Sequence, residues 1–179
     1  MHEWTESPAL RGHMEAVAAC MGAYAESLNA RNPDDWVVAG LLHDFDYEKH
    51  PSKEEHPFVG VRELETRSVD RAILDAILGH AEYSGVPRET PMAKALFAVD
   101  ELAGFIVAVA KVRPTGVEDL KPKSVRKKLK DKAFAAAVSR DDIHVGVTEM
   151  KTLVPDLEEA AHIQTCIDAI AGATDRIPI

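Results

Sequence analysis

Apolar residues recur at three- and four-residue steps along most of this chain, and that spacing limits the folds it can adopt. Between Pro8 and Leu28 the series comprises Leu10, Met14, Val17, Ala18, Met21 and Leu28. Residues at such steps share one face of an α-helix. The hydrophobic fraction is 46% and the aromatic fraction only 6%, which favours helices packed closely on one another. The sequence therefore predicts an all-α fold, and a length of 179 residues suits a single domain.

The second apolar helical run ends in an ionisable pair, His43-Asp44. Asn32 ahead of it is a predicted N-cap, and Pro33 is a predicted first-turn proline. Burying an imidazole beside a carboxylate is costly unless something compensates both groups. A divalent metal ion would do so, because it binds both kinds of side chain. The alternative is a frayed helix end with a solvated Asp44.

Three further histidines occupy positions from which they can point inwards. His13 shares the apolar stripe of the first helix, and His56 stands just before Pro57 at the entrance of a short helix. His80 ends the buried stripe of a fourth helix, which we expect to begin at Ser68. Taken singly, each histidine is more typical of a hydrogen-bonded core residue than of a metal ligand. We expect His50, in the middle of a polar loop, to be solvated.

Asp100 is the residue that a purely structural interpretation explains least well. It falls in the middle of a predicted helix that starts at Thr90-Pro91, and its helical neighbours are small or apolar: Ala93, Leu96, Phe97, Ala103 and Gly104. Burying an ionised carboxylate without a partner costs a prohibitive amount of free energy. The alternative is that the Asp100 side chain reaches solvent at the flank of the helix. Helices packed around one core can bring such groups together on one or two divalent ions. The absence of thiolates among the candidates suits Mn, Co, Fe, Ni, Mg or Zn rather than a structural cysteine zinc site.

Charge is distributed unevenly along the chain. The formal net charge is -9, which argues against a general nucleic-acid or anionic-membrane surface. Between Lys111 and Lys132, however, there are nine basic and three acidic residues, so this segment has a net charge of +6 and the rest of the chain has -15. A local site for anions is therefore possible on an acidic protein.

Two observations bear on the cellular compartment. The longest apolar stretch, Leu102 to Ala110, is too short to cross a bilayer, and the first residues lack the basic start and apolar run of a signal peptide. Cys20 and Cys166 lie inside amphipathic helical patterns without C-x-x-C spacing, so we expect them to be core residues and not a disulfide. These features predict a cytoplasmic protein with no membrane partner.

Taken in order, the candidate residues resemble the HD-domain superfamily of metal-dependent phosphohydrolases. The resemblance rests on a first helical His (His13), a doublet ending an apolar helix (Leu41-Leu42-His43-Asp44) and a distant Asp (Ala98-Val99-Asp100-Glu101-Leu102). Two more segments are similar to those of members that hold a second metal: His56-Pro57-Phe58-Val59-Gly60 and Ile77-Leu78-Gly79-His80-Ala81-Glu82. The chain departs from many relatives at Phe45-Asp46 and at Ala81, which leaves the number of metal ions open.

The resemblance implies a single compact HD-type domain over residues 1–179, with its metal site at the centre. The metal-binding core would span about residues 8–110, and the basic helical segment and C-terminal helices about residues 111–179. It also implies that one or two divalent ions are held by His13, His43, Asp44 and Asp100, with His56 and His80 as second-metal ligands or phosphoryl donors. Asp44 would bridge two ions if two bind.

The activity implied is hydrolysis of a phosphate ester of a small molecule or nucleotide by a metal-activated water. Asp44 and Asp46 are the expected catalytic carboxylates, with Asp46 orienting the water. The expected substrate-binding residues are Arg88, Lys123, Arg126 and Lys127. Two alternatives remain open at this level, a non-enzymatic metal- or nucleotide-sensing domain and an oxygenase with paired irons. The sequence does not predict an oligomeric state.

Overall fold

The computed structural model describes residues 1–179 and contains eight α-helices and no strands. The helices are α1 (Pro8–Ser27), α2 (Pro33–Leu42), α3 (Phe58–Thr66), α4 (Arg71–His80), α5 (Pro91–Lys111), α6 (Pro122–Leu129), α7 (Arg140–Met150) and α8 (Glu159–Ala171). A short 3₁₀ turn, Glu82–Ser84, follows α4. The prediction of an all-α fold is confirmed.

Helix α5 occupies the centre of the molecule. It is the longest helix, with 21 residues, and it packs against α1, α4, α7 and α8. Most of its apolar positions are buried, so it is surrounded by protein on nearly every side. Because Asp100 lies near the middle of α5, its carboxylate is carried into the interior, where the other helices can bring partners to it.

Side chains cap several helix starts, and the predicted capping residues are matched only in part. The hydroxyls of Ser7 and Thr90 accept hydrogen bonds from backbone N–H groups in the first turns of α1 and α5. Asn32 occupies the N-cap position of α2, but its side chain makes no capping bond. The predicted start of α4 at Ser68 was wrong: Ser68 has a φ of 59°, and the helix starts at Arg71 with Asp70 as its cap.

Two glycines allow close contacts between helices. A Cβ on Gly40 of α2 would lie 2.7 Å from the Cα of Ala18 on α1. A Cβ on Gly146 of α7 would lie 2.6 Å from the Cα of Ala98 on α5. A Cβ atom fits at neither distance, so the close contacts of α2 with α1 and of α7 with α5 both require glycine. The contact at Gly40 brings the end of α2, and with it His43, against α1.

The basic segment forms α6 and an irregular turn. Val125 is fully buried, and Leu129, Phe134 and Val138 pack against the core from the helix end and the turn that follows. The sequence predicts two last helices, from Ser139 to about Val154 and from Pro155 to about Ala171. Both are shorter in the structure, since α7 ends at Met150 and α8 starts at Glu159. None of the eight helices combines the length and the apolar character that crossing a lipid bilayer requires.

The two cysteines are buried thiols in the helical core. Cys20 lies on α1 and Cys166 on α8, and neither is in a disulfide. The sulfur of Cys20 lies 3.8 Å from the backbone oxygen of Cys166. The prediction that they are core residues is confirmed.

Candidate metal centre

Six residues from separate parts of the chain meet in the middle of the helical body. They are His13 on α1, His43 and Asp44 directly after α2, His56 directly before α3, His80 at the end of α4 and Asp100 on α5. These are the same six residues that the sequence predicts as candidate metal ligands, and the structure brings all of them together. They form two groups of three, which we call the first trio (His13, His43, Asp100) and the second trio (Asp44, His56, His80).

The first trio presents two imidazole nitrogens and one carboxylate oxygen to a common point. The Nε2 atoms of His13 and His43 lie 3.2 Å apart. Asp100 Oδ1 lies 3.0 Å from His13 Nε2 and 3.4 Å from His43 Nε2. These are nitrogen and oxygen donors with the spacing and chemistry of a divalent-ion site.

The second trio repeats this arrangement beside the first. The Nε2 atoms of His56 and His80 lie 3.2 Å apart. Asp44 Oδ1 lies 3.2 Å from His56 Nε2 and 3.5 Å from His80 Nε2. In each trio the ligand atoms all lie within 4.8 Å of one another.

Asp44 connects the two trios. While its Oδ1 faces the second trio, its Oδ2 lies 3.4 Å from His43 Nε2 and 3.6 Å from His13 Nε2 in the first. One carboxylate therefore offers one oxygen to each group, which is the geometry of a bridging ligand between two ions. The position of Asp44 directly after α2 aims it at both trios at once.

Three of the four histidines are oriented through their other ring nitrogen. His43 Nδ1 donates to the backbone oxygen of Gly40 at 2.8 Å, and His80 Nδ1 donates to that of Ile77. His56 Nδ1 lies 2.7 Å from Asp46 Oδ1. Because a carbonyl or carboxylate oxygen holds the proton on Nδ1, the lone pair of Nε2 is left to face the centre.

The structure places Asp46 differently from our expectation. Its side chain is fully buried, with Oδ1 on His56 and Oδ2 accepting a 2.7 Å hydrogen bond from the backbone N–H of Gly60. Asp46 does not line the open site, so we correct its expected role of orienting a water. It orients His56 instead.

A family model for the HD domain matches residues 10–104, more than half of the 179-residue chain. The chain belongs to the HD domain family. Searches of curated proteins and of solved structures found no match. The family consists mostly of metal-dependent hydrolases that bind divalent ions, and the two trios of this HD domain are the groups that could hold such ions.

In the HD domain centre, the carboxylates and the imidazoles shift each other's pKa values. Burial lowers the pKa of His43, but the carboxylates of Asp44 and Asp100 outweigh burial and hold that pKa well above its usual range. For the carboxyls of Asp44 and Asp100 the signs are opposite: burial alone would raise their pKa values. The neighbouring histidines outweigh burial, so the pKa values of both carboxyls are lowered. The carboxylates are thus ionised, and protons on His43 and His56, whose pKa values these carboxylates raise, offset part of their charge. Divalent cations would offset the same charge, and they would release those protons on binding.

The centre opens into a cavity of about 680 Å³. Besides the ligand candidates, its lining includes six residues that the sequence analysis did not identify: Tyr47, Lys53, Tyr83, Phe97, Glu101 and Asp142. Glu101 directly follows Asp100, and burial together with the Asp100 charge raises the pKa of its carboxyl to about 7. Closeness in sequence to a ligand candidate was the only signal for Glu101 and Tyr47, which lie one residue after Asp100 and three residues after Asp44. No pattern in the sequence pointed to Lys53 or Asp142.

The expected phosphate-binding cations lie elsewhere. The guanidinium of Arg88 is 2.6 Å from Glu149 Oε1 and stacks 3.7 Å from the centre of the Phe97 ring. Lys123, Arg126 and Lys127 are on α6, where Arg126 pairs with Glu159 at 2.8 Å. None of these four residues lines the cavity. His50, which we expected to be solvated, is partly exposed and lies 3.1 Å from Glu55 Oε1.

Proposed function

We propose that this HD domain is a metal-dependent phosphohydrolase that cleaves a phosphate ester of a small molecule. The single observation that carries the proposal is the bridging position of Asp44 between two trios of imidazole and carboxylate donors. A pair of ions held side by side suits an in-line displacement at phosphorus, because one ion can serve the attacking oxygen and the other the leaving oxygen.

The donor set fits divalent ions of the Mn, Co, Fe, Ni, Mg or Zn group. When bound, such ions lower the pKa of a coordinated water from about 15.7 towards about 7 and polarise a phosphoryl oxygen. The residues of the chain hold this arrangement in place. Asp44 fixes the two trios relative to each other, and the backbone oxygens of Gly40 and Ile77 fix the rings of His43 and His80.

The cavity gives a substrate access to this centre. Asp44, Asp100, His13, His56 and His80 all border the cavity, whereas His43 is completely buried behind them. A phosphate group entering the cavity would therefore meet both trios at once. A volume of about 680 Å³ falls in the range of pockets for small-molecule ligands.

The decisive experiment compares three forms of the protein on a panel of phosphate monoesters and nucleotides. Metal-depleted protein should gain phosphatase activity when Mn²⁺ or Co²⁺ is restored, and Asp44→Asn should lose at least about a thousandfold in kcat/KM because both trios lose their shared anion. Asp34→Asn is the matched control: this exposed aspartate lies in the first turn of α2 and should leave turnover unchanged. No hydrolysis of any ester by metal-loaded, folded protein would refute the proposal.

A paired-iron oxygenase is the second candidate function. The observation that favours it is the presence of His56 and His80 in a complete second trio, since the sequence resemblance associates this fuller histidine set with oxygen chemistry in some relatives. Iron-loaded protein would then consume oxygen in the presence of an oxidisable substrate and release no phosphate. If the loaded protein binds ligands but turns over neither class, the sensing alternative stands in its place.

A further inference from the structure

We propose that the substrate of this HD domain is a small phosphate monoester whose organic part carries a protonated amino group. This inference deepens the proposed function and rests on it. It follows from three charged side chains in the cavity, Lys53, Glu101 and Asp142, that form no ion pair within the protein, because these are the groups left to engage a charged ligand.

Lys53 is the only lysine or arginine that lines the cavity. Its ammonium makes no ion pair or hydrogen bond within the protein and lies 5.4 Å from the centre of the Tyr83 ring. Tyr47, also on the cavity wall, packs edge-on against the ring of the ligand candidate His56 at 5.1 Å between centroids. Lys53, Tyr47 and Tyr83 thus form one wall, beside the second trio. A free ammonium on this wall is suited to an oxygen of a substrate phosphate.

Glu101 and Asp142 form a second wall with the opposite charge. Glu101 directly follows Asp100 on α5, which places this wall beside the first trio. Neither carboxylate has a cationic side chain as a partner, in contrast to Glu82, whose Oε1 lies 3.5 Å from the Arg88 guanidinium. Two unpaired carboxylates in a cavity favour a ligand that brings a cation or several hydrogen-bond donors.

The start of α7 explains why the carboxylate of Asp142 is unpartnered. The sequence predicts a capping box in which Ser139 and Asp142 satisfy each other's backbone N–H groups. Ser139 Oγ does accept from the N–H of Asp142 at 3.2 Å, but the N–H of Ser139 is taken by Glu101 Oε2 at 3.1 Å. Glu101 therefore replaces Asp142 in the cap. The Asp142 carboxylate makes no hydrogen bond within the protein and is left facing the cavity with one oxygen of Glu101.

The two walls select for a substrate with separated charges. A phosphate that contacts the trios can reach Lys53 on one side, while an ammonium on the organic part can reach Glu101 and Asp142 on the other. A nucleoside triphosphate suits this cavity poorly, because Lys53 is the one cationic side chain available for its extra phosphates and the other wall would repel them. The chemical class that fits is an aminoalkyl phosphate or a similar compact zwitterion.

Binding of a matched pair of non-hydrolysable probes tests this inference without relying on turnover. Calorimetry at pH 8 would compare 3-aminopropylphosphonate with propylphosphonate on Mn²⁺-loaded protein. We expect the amino compound to bind roughly tenfold to a hundredfold tighter, as charge-assisted hydrogen bonds to an ammonium would provide. In the double variant Glu101→Gln/Asp142→Asn this preference should shrink to within about twofold. Glu101→Gln keeps an acceptor for the Ser139 N–H, so the start of α7 is preserved.

Two matched controls separate site effects from charge effects. Asp141→Asn removes the neighbouring exposed carboxylate of α7, which does not line the cavity, and should leave the preference intact. Lys53→Gln should weaken both phosphonates by about the same factor, roughly three- to tenfold. Lys49→Gln, on the same loop, should weaken neither, because the Lys49 ammonium lies over Trp4 outside the cavity.

The possible outcomes distinguish this inference from the proposed function. Equal binding of the two phosphonates, no binding of either, or a preference that survives in the double variant would overturn the substrate class. Selective binding that depends on Glu101 and Asp142 supports it, even if no phosphate ester is hydrolysed. In that case the cavity chemistry stands and the hydrolytic activity does not.

Discussion

Replacing Asp46 with asparagine should weaken one metal position and spare the other. The two carboxylate oxygens of Asp46 have different partners: Oδ1 lies 2.7 Å from His56 Nδ1, and Oδ2 accepts from the Gly60 N–H, also at 2.7 Å. In Asp46→Asn the amide oxygen must stay on the Gly60 N–H, because that buried donor has no other acceptor. The amide NH₂ is then forced towards His56 Nδ1, to which it donates.

This change alters the tautomer of His56. A ring that accepts a hydrogen bond at Nδ1 carries its proton on Nε2, which is the atom that faces Asp44 and His80 in the second trio. An ion there would have to displace that proton or rotate the ring. Loss of such an orienting carboxylate typically costs about 10- to 100-fold in metal affinity, or about 1.4 to 2.7 kcal/mol. In the first trio, His43 is oriented by the backbone oxygen of Gly40 and Asp46 contacts no member, so the binding of an ion there should be unaffected.

Competition against a chelator of known affinity would measure both binding steps. We expect two Co²⁺ ions per wild-type chain, and in Asp46→Asn an unchanged first step with a second step weakened about 10- to 100-fold. Asp34→Asn again serves as the exposed control. Two unchanged binding steps in Asp46→Asn, or an equal loss in both, would refute the assignment of Asp46 as the residue that orients His56.

Three further predictions concern stability and the basic helix. Burial lowers the pKa of His162 to about 4, so below pH 6.5 the unfolded chain binds a proton at this residue and the native state does not. From pH 8 to pH 5 the free energy of unfolding should therefore fall by about 2 kcal/mol more in wild type than in His162→Gln. Equal pH dependence of the two proteins in urea titrations would contradict this. Gly146→Ala should cost about 1 to 3 kcal/mol by forcing α7 away from Ala98, whereas Gly172→Ala, whose Cβ would meet nothing closer than 3.6 Å, should be nearly neutral in the same titrations. Neutralising Lys123 and Lys127 should leave KM within about twofold, because neither lines the cavity; a rise in KM of roughly threefold or more would restore them as substrate-binding residues.

The ligand candidates could be found from sequence because each one conflicts with its local pattern. Asp100 lies among apolar neighbours on a helix that is buried almost all round, and His13 and His80 lie on stripes that otherwise carry aliphatic side chains. Burial of an ionisable group is expensive enough to need an explanation. Helical periodicity is regular enough to show which face each residue occupies.

The remainder of the site depends on loops and on contacts between helices, which periodicity does not encode. Lys53 belongs to an irregular segment, and its position over Tyr83 is set by the way that segment folds back on the 3₁₀ turn. The sequence predicts Arg88 as a phosphate-binding residue, but its guanidinium pairs with the carboxylate of Glu149, which lies 61 residues further along the chain. Asp46 is two residues from Asp44, but the chain turns between them and sends the two carboxylates to opposite sides of His56.

The donors of the centre are spread over nearly ninety residues, from His13 to Asp100, and they meet only when five helices have packed. Any ion that binds the folded arrangement and not the open chain adds its own binding free energy to the stability of the whole body. The melting temperature should therefore rise with free metal concentration and drop on chelation. For a cell, scarcity of the ion would reduce the amount of folded protein as well as the activity of each molecule.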